Sequence, residues 1–430
     1  MNTLAVELNK TLKETVVYRL LSDLGKRFYF PKGIVSQSAE AKKHATRFNA
    51  TVGMAILGGK PMHLNSLKEL IPDLPPEQIF SYAPTPGNPQ LRELWLDDMI
   101  RKNPSLAGQD TSLPLVVSGL THGISVLADL FAGPGDCVLV PDMFWGNYRL
   151  IFEERNRASI STFPFFNPQA GLNIEGLKDA LNRVTGGKVI LMLNFPNNPT
   201  GYSPTEWEVR ALVQLLKEQA QKGLNILCIS DDAYFGLFYE KETHKESLFA
   251  SLAALHENIL AVKVDGATKE ELVWGFRVGF LTFASQKIKT REYDALISKV
   301  MGAVRASISN SNNLTQNLLL RAMQSPNYQV EKKAALAILR ERYLKVREII
   351  ERLPPGSKLE PLPFNSGYFM TFRVGGASSE KLRKKLLMEQ GIGTISIQER
   401  YLRVAYSSVD LHNLEELYEI IFKTAEELSS

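Results

Sequence analysis

The sequence predicts an α/β protein: a large, mostly parallel sheet with helices on both faces, plus a smaller α+β domain. Two observations carry this. Between residues 115 and 285, about six apolar runs of strand length alternate with helical patterns, and sharp turns follow them. After about residue 312 the texture changes to charged, helix-rich sequence followed by short strand-like segments.

The chain has 430 residues, enough for one large domain and a smaller one. A net charge of +4 is small for this length and gives no case for nucleic-acid binding. No apolar run approaches the roughly 20 residues that span a membrane. Cys137 and Cys228 each lie inside an apolar run and read as buried thiols in a reducing compartment. The start, MNTLAVELNK, carries Glu7 and lacks an apolar h-region, so it does not read as a signal peptide. These features lead to the expectation of a cytoplasmic enzyme.

Taken in order, residues 1–48 read as helical with mixed charge. The segment FNATVGMAILGGKPM follows at 48–62, where Gly53 either lets the backbone approach a ligand or makes a plain turn. Tyr82 lies in a Pro/Gly-rich loop before an amphipathic helix that starts near Pro89. In LVVSGLTHGISVLADLF, at 115–131, a strand passes through Ser118, Gly119 and Thr121 into a helix. That gathers backbone N–H groups at a positive helix end, which suits a phosphate. DCVLVPDMFWGNYRLIF, at 136–152, places Trp145 just past a strand end, where it stacks on a flat ligand or simply packs.

Two more strands end in KVILMLNFPNNPTG, at 188–201, and NILCISDDAYFGLF, at 225–238. The next covers residues 259–264, turns at Gly266, Ala267 and Thr268, and reaches Lys269, with Arg277 eight residues later. A lysine in a dry site loses ammonium solvation, so its pKa falls and the amine becomes a nucleophile. A nearby guanidinium pushes the same way and also binds an anion. The neighbours Glu270 and Glu271 suit an exposed loop equally well. Parallel sheets bind ligands beyond the carboxyl ends of their strands, so Trp145, Asn198, Asp231, Tyr234 and Lys269 should converge there. Further on, residues 379–390 read as a helix, GTISIQERYLRVAYSS as a hairpin, and the rest as a last helix. Arg403 alternates with apolar neighbours in that hairpin. A half-buried arginine needs an anionic partner, either a protein carboxylate or a substrate.

NNPTG at 197–201, SDDAY at 230–234 and GATKEELVWGFRVG at 266–279 occur in this order. Together they resemble the class I aminotransferases, pyridoxal-phosphate enzymes of fold type I, over about residues 48–403. TVGMAILGGKPM and MFWGNY bring the likeness closest to the aspartate/aromatic branch. The resemblance implies a seven-stranded sheet in a cofactor-binding domain at 56–320 and a small domain at 321–430, with residues 1–55 as an N-terminal segment that joins the small domain. It implies pyridoxal 5'-phosphate as cofactor and no metal. Lys269 would form the Schiff base and move the substrate proton. Asp231 would pair with the ring nitrogen, Asn198 and Tyr234 with a ring oxygen, and Trp145 would stack on the ring. Arg277, Thr268 and the amides of Ser118, Gly119 and Leu120 would hold the phosphate. Arg403 would clamp the substrate α-carboxylate, with Asn198 and the Gly53 backbone nearby.

The same resemblance implies a homodimer with shared active sites, in which Tyr82 reaches the neighbour's phosphate. Arg305, in AVRASISNSNN at 303–313, is similar to the arginine that binds the distal carboxylate in dicarboxylate-specific members. The implied reaction moves an amino group between an α-amino acid (aspartate, glutamate or aromatic) and a 2-oxo acid such as 2-oxoglutarate. A C–S β-lyase or a cyclopropane-forming synthase would use the same core. The sequence departs from the family at Gly266, where many members have a phosphate-binding serine, and at Tyr148, where the aspartate branch commonly has histidine. No role follows from the resemblance for Thr121 or His122, the next positions of the phosphate loop.

Overall fold

The computed structural model describes residues 34–51, 53–69 and 73–428, with a few positions before residue 11. Runs rich in Val, Ile and Leu form its central layer. These are β1 (Leu115–Val117), β2 (Cys137–Pro141), β3 (Ser159–Phe163), β4 (Lys188–Asn194), β5 (Asn225–Asp231), β6 (Ile259–Gly266) and β7 (Gly279–Ala284). They make one seven-stranded sheet in the order β1-β7-β6-β5-β4-β2-β3. All neighbours pair in parallel except β7, which runs antiparallel to both β1 and β6. Alternate side chains enter opposite cores, as a pleat requires. Val138, Val140, Ile190 and Met192 pack on one face, and Leu139, Val189, Leu191 and Leu193 on the other.

The covering helices start where local chemistry dictates. Helix α1 (Pro89–Lys102) has proline in its first turn and Asn88 as a side-chain cap. Helix α2 (Leu120–Phe131) follows β1 directly and presses Ile124 and Leu127 onto the sheet. Helix α3 (Glu206–Gln221) opens with a reciprocal Thr205–Glu208 capping box. Helix α4 (Thr290–Ser307) packs on α2, and α5 (Tyr328–Glu351) leads toward the smaller domain.

The smaller domain is an antiparallel sheet of β8 (Leu359–Pro361), β9 (Met370–Val374), β10 (Ile395–Ile397) and β11 (Tyr401–Val404), in the order β8-β9-β11-β10. Helices α6 (Ser379–Gln390) and α7 (Leu414–Glu427) pack with it. Phe48–Asn49 pairs in parallel with Ile392–Gly393, so the segment before the large sheet is stitched to this domain. Of the helical reading for residues 1–48, Ile34–His44 is a helix and residues 11–33 lie outside the described residues. Cys228 is buried, but Cys137 opens β2 at the strand's end and is only half-buried. No described helix is long and apolar enough to cross a membrane.

The topology brings the ends of β1, β4, β5 and β6 and the start of β7 to a single edge of the sheet.

Candidate active site

Glycine backbones make this edge compact. A Cβ on Gly266 would lie 2.6 Å from the carbonyl oxygen of Val278 and 2.7 Å from Cα of Gly279. One on Gly279 would lie 2.8 Å from the carbonyl carbon of Gly119. A serine at position 266 therefore does not fit this packing, which gives the departure there a steric reason. Gly119 has φ 78°, and a Cβ on it would come within 2.3 Å of an Arg277 guanidinium nitrogen. Arg277 itself sits in the left-handed region at φ 55°, a strained geometry for a side chain of its size.

The recess at this edge is lined by Leu120, Thr121, Trp145, Asn194, Asn198, Asp231, Ala233, Tyr234, Thr268, Lys269 and Arg277. The Lys269 amine lies 5.0 Å from the centroid of the Tyr234 ring. Burial brings its pKa down to about 8; Asp231 opposes the shift and Arg277 adds to it. Asp231 ends β5 and is also buried. Its carboxylate accepts from the Tyr148 hydroxyl at 2.5 Å and from the Ala233 amide at 3.2 Å. Burial raises its pKa against those hydrogen bonds and the Lys269 charge. Tyr148, whose role the resemblance left open, holds the carboxylate through that bond, with its ring edge-on to Trp145 at 5.6 Å. Burial also makes Tyr234 keep its proton to higher pH than a free tyrosine.

The turn after Lys269 is anchored from behind. Glu270 accepts from Lys102 at 2.7 Å and from Lys332 at 2.8 Å, and Glu271 from Lys332 and the Tyr328 hydroxyl, both at 2.7 Å. Both glutamates are largely or wholly buried, which removes the exposed-loop alternative. The two cations hold Glu270 ionised, and burial beside Glu270 pushes Glu271 up.

Arg403, on β11, is 2% exposed. It donates to Asn198 Oδ1 at 2.8 Å and to the Thr51 carbonyl at 3.1 Å, and it lies over the Phe369 ring at 4.2 Å. It pairs with no carboxylate among the described residues, and its Nε has no partner. Burial lowers its pKa to about 10. Of the two partners left open by the sequence, the described chain does not supply the protein one. Gly53 is close by: a Cβ there would be 3.3 Å from Phe369 and 3.6 Å from the Tyr234 hydroxyl.

Besides Arg403 and Gly53, which lie next to the recess, four expected residues are absent from its lining. The Ser118 amide donates to His122 Nδ1 at 3.1 Å and the Gly119 amide to the Val117 carbonyl at 2.8 Å, so both are spent within the turn. Leu120 and Thr121, from the same turn, line the recess instead. Tyr82 is 89% exposed. Arg305 is exposed and donates to Ser309 Oγ at 2.7 Å. Thr85 binds Asn310 at 3.0 Å, so the Tyr82 loop and the segment after Arg305 are joined on one surface. The sequence also passed over Asn194, which ends β4 and donates to the Asp231 carbonyl at 2.7 Å. The strand-end rule would have found it. No sequence signal marks Thr51 or Phe369.

The family model for class I and II aminotransferases matches residues 57–421. The chain belongs to that family. An aspartate aminotransferase of Thermotoga maritima is 27% identical over 307 residues, covering 69% of this chain and 70% of that one. One from Bacillus sp. strain YM-2 is 24% identical over 324 residues, covering 73% and 75%. Among solved structures, an aminotransferase of Anaerococcus prevotii superposes with a TM-score of 0.83 at 22% identity, covering 94% and 99%. A Pyrococcus horikoshii kynurenine aminotransferase does so with 0.79 at 16%, covering 96% and 98%. These structures share the fold. The chain is accordingly a pyridoxal-phosphate-dependent transferase. The recess suits such a cofactor on its own chemistry. Beside the lysine amine it offers Arg277, the start of α2 and the buried Thr268 Oγ1, which has no hydrogen-bond partner.

The Lys269 amine should titrate far below an ordinary lysine. In the cofactor-free protein, its acylation rate should rise through pH of about 8. Asp231→Asn should move that midpoint lower, because the carboxylate that favours the ammonium is gone. A midpoint near that of a free lysine, or an unmoved one in the variant, contradicts this account.

Proposed function

We propose that this chain moves an amino group from aspartate, glutamate or an aromatic amino acid to a 2-oxo acid such as 2-oxoglutarate, with pyridoxal 5'-phosphate held at Lys269. The observation that carries the reading is one meeting of groups. An amine brought down to about 8 faces a buried, braced carboxylate, and a buried guanidinium that has no carboxylate partner among the described residues is bonded to the same recess. When bound, the cofactor supplies an aldehyde carbon that condenses with amines and a ring that takes up electron density from the substrate α-carbon.

The side chains then divide the work. Asp231, held by Tyr148, keeps a ring nitrogen protonated. Lys269 Nζ takes the proton from the substrate α-carbon and returns it, a task suited to an amine that titrates near neutral pH. The Tyr234 hydroxyl and Asn198 hydrogen-bond a ring oxygen, and Trp145 covers a ring face. Arg277, Thr268 and the amides of Leu120 and Thr121 hold the phosphate. Arg403 clamps the substrate α-carboxylate, with the Gly53 backbone beside it.

Arg305 and Tyr82 belong to one exposed surface that also carries Phe80, 82% exposed. Two exposed aromatics, Phe80 and Tyr82, beside an exposed arginine suit a surface that a partner covers. In our reading a second copy covers it, so that Tyr82 serves the partner's phosphate and Arg305 the distal carboxylate of the partner's substrate. The relatives named as aspartate aminotransferases support a dicarboxylate donor. The free cysteines suit a reducing compartment such as the cytoplasm.

Borohydride reduction of the loaded protein should fix the cofactor on Lys269, and Lys269→Ala should abolish transamination; a label mapped to another lysine sinks the assignment. Arg305→Leu should lower kcat/KM for aspartate and glutamate by about 2–5 kcal/mol while sparing aromatic donors. An equal loss on all donors removes Arg305 as the specificity group. Sedimentation should show a dimer, and an active monomer would refute the shared-site reading.

A further inference from the structure

Helix α2 starts at Leu120 with Gly119 as its N-cap, so His122 is its third residue. At that position Glu or Gln commonly reaches back to a backbone N–H at the helix start. Here an imidazole does so, accepting the Ser118 amide at Nδ1, 3.1 Å away. An accepting Nδ1 leaves the proton on Nε2, which lies 2.9 Å from Ser307 Oγ at the end of α4. The Ser307 hydroxyl directs its own hydrogen to the Ala303 carbonyl at 2.9 Å, so it is free to accept from Nε2. The neutral ring therefore satisfies both of its nitrogens.

The charges around it are Asp129 on the same helix and Arg155 at the end of the short helix Arg149–Arg155, which pair with each other at 2.7 Å. Burial, with Arg155 adding to it, holds His122 below its ordinary titration range. A carboxylate at this position would make the same bond to Ser118. It would also put a negative charge where the start of α2 and Arg277 gather for an anion. The neutral imidazole closes the turn without that repulsion. Thr268 Oγ1, buried and unpartnered in the same recess, points independently to a ligand there.

We propose that His122 is a positioning residue for the cofactor phosphate: an uncharged cap that fixes the turn at Ser118 and Gly119 so that the amides of Leu120 and Thr121 face the anion. The inference rests on the function proposed above. Through Ser307 it also ties that turn to the helix carrying Arg305, two residues earlier.

The test titrates cofactor-free protein with pyridoxal phosphate and, separately, with pyridoxal, which lacks the phosphate, following absorbance. His122→Gln keeps a neutral acceptor and should bind both like the wild type. His122→Ala should bind pyridoxal phosphate about five- to tenfold more weakly, as for one lost hydrogen bond, with pyridoxal unchanged. His122→Glu keeps the acceptor but adds charge, and should lose about tenfold or more for pyridoxal phosphate alone. Equal losses for both ligands in His122→Ala, or a Glu variant that matches the Gln variant, would overturn the proposal. A wild-type protein that binds neither ligand would sink the function proposed above and this inference with it.

Discussion

Three backbones meet without intervening side chains at the edge of the large sheet, and the site depends on that contact. Gly119 follows β1, Gly266 ends β6 and Gly279 begins β7. Because β7 runs antiparallel between β1 and β6, its first residue lies beside their last ones. A side chain at Gly266 or Gly279 would meet backbone at less than 3 Å and push the strands apart. The close approach is what places the start of α2, the Lys269 turn and Arg277 around one recess.

Two buried cations in this region solve the cost of desolvation in opposite ways. Lys269 gives ground on its proton, so burial converts it toward a neutral amine. Arg403 stays charged at neutral pH even with its pKa lowered. Among the described residues its partners are neutral: the Asn198 amide, the Thr51 carbonyl and the face of Phe369. One group is made reactive by its surroundings and the other is left with unspent charge.

Much of this was legible in the sequence because it depends on local pattern. The strand runs, the turn residues behind them and the rule that ligands sit at strand ends located Lys269, Asp231, Asn198 and Trp145. What depends on distant partners was not legible. Nothing in the apolar run of β7 shows that it runs antiparallel. Glu270 and Glu271 looked solvated because their cations, Lys102 and Lys332, are 168 and 62 positions from Glu270 in the chain. Which amides at the start of α2 remain free depends on where the His122 ring points, and that is set by tertiary packing. Gly266 read as a lost side-chain contact, whereas the structure makes it a steric requirement.

The hydrogen bonds of Arg403 join three separate parts of the chain. The arginine belongs to the smaller domain's sheet, Asn198 to a turn of the large one, and Thr51 to the segment that precedes the large sheet. This one guanidinium therefore sits at the joint between the two halves of the molecule. Losing that single side chain would remove two hydrogen bonds across the joint at once, so the docking of the halves leans on a side chain that belongs to neither apolar core.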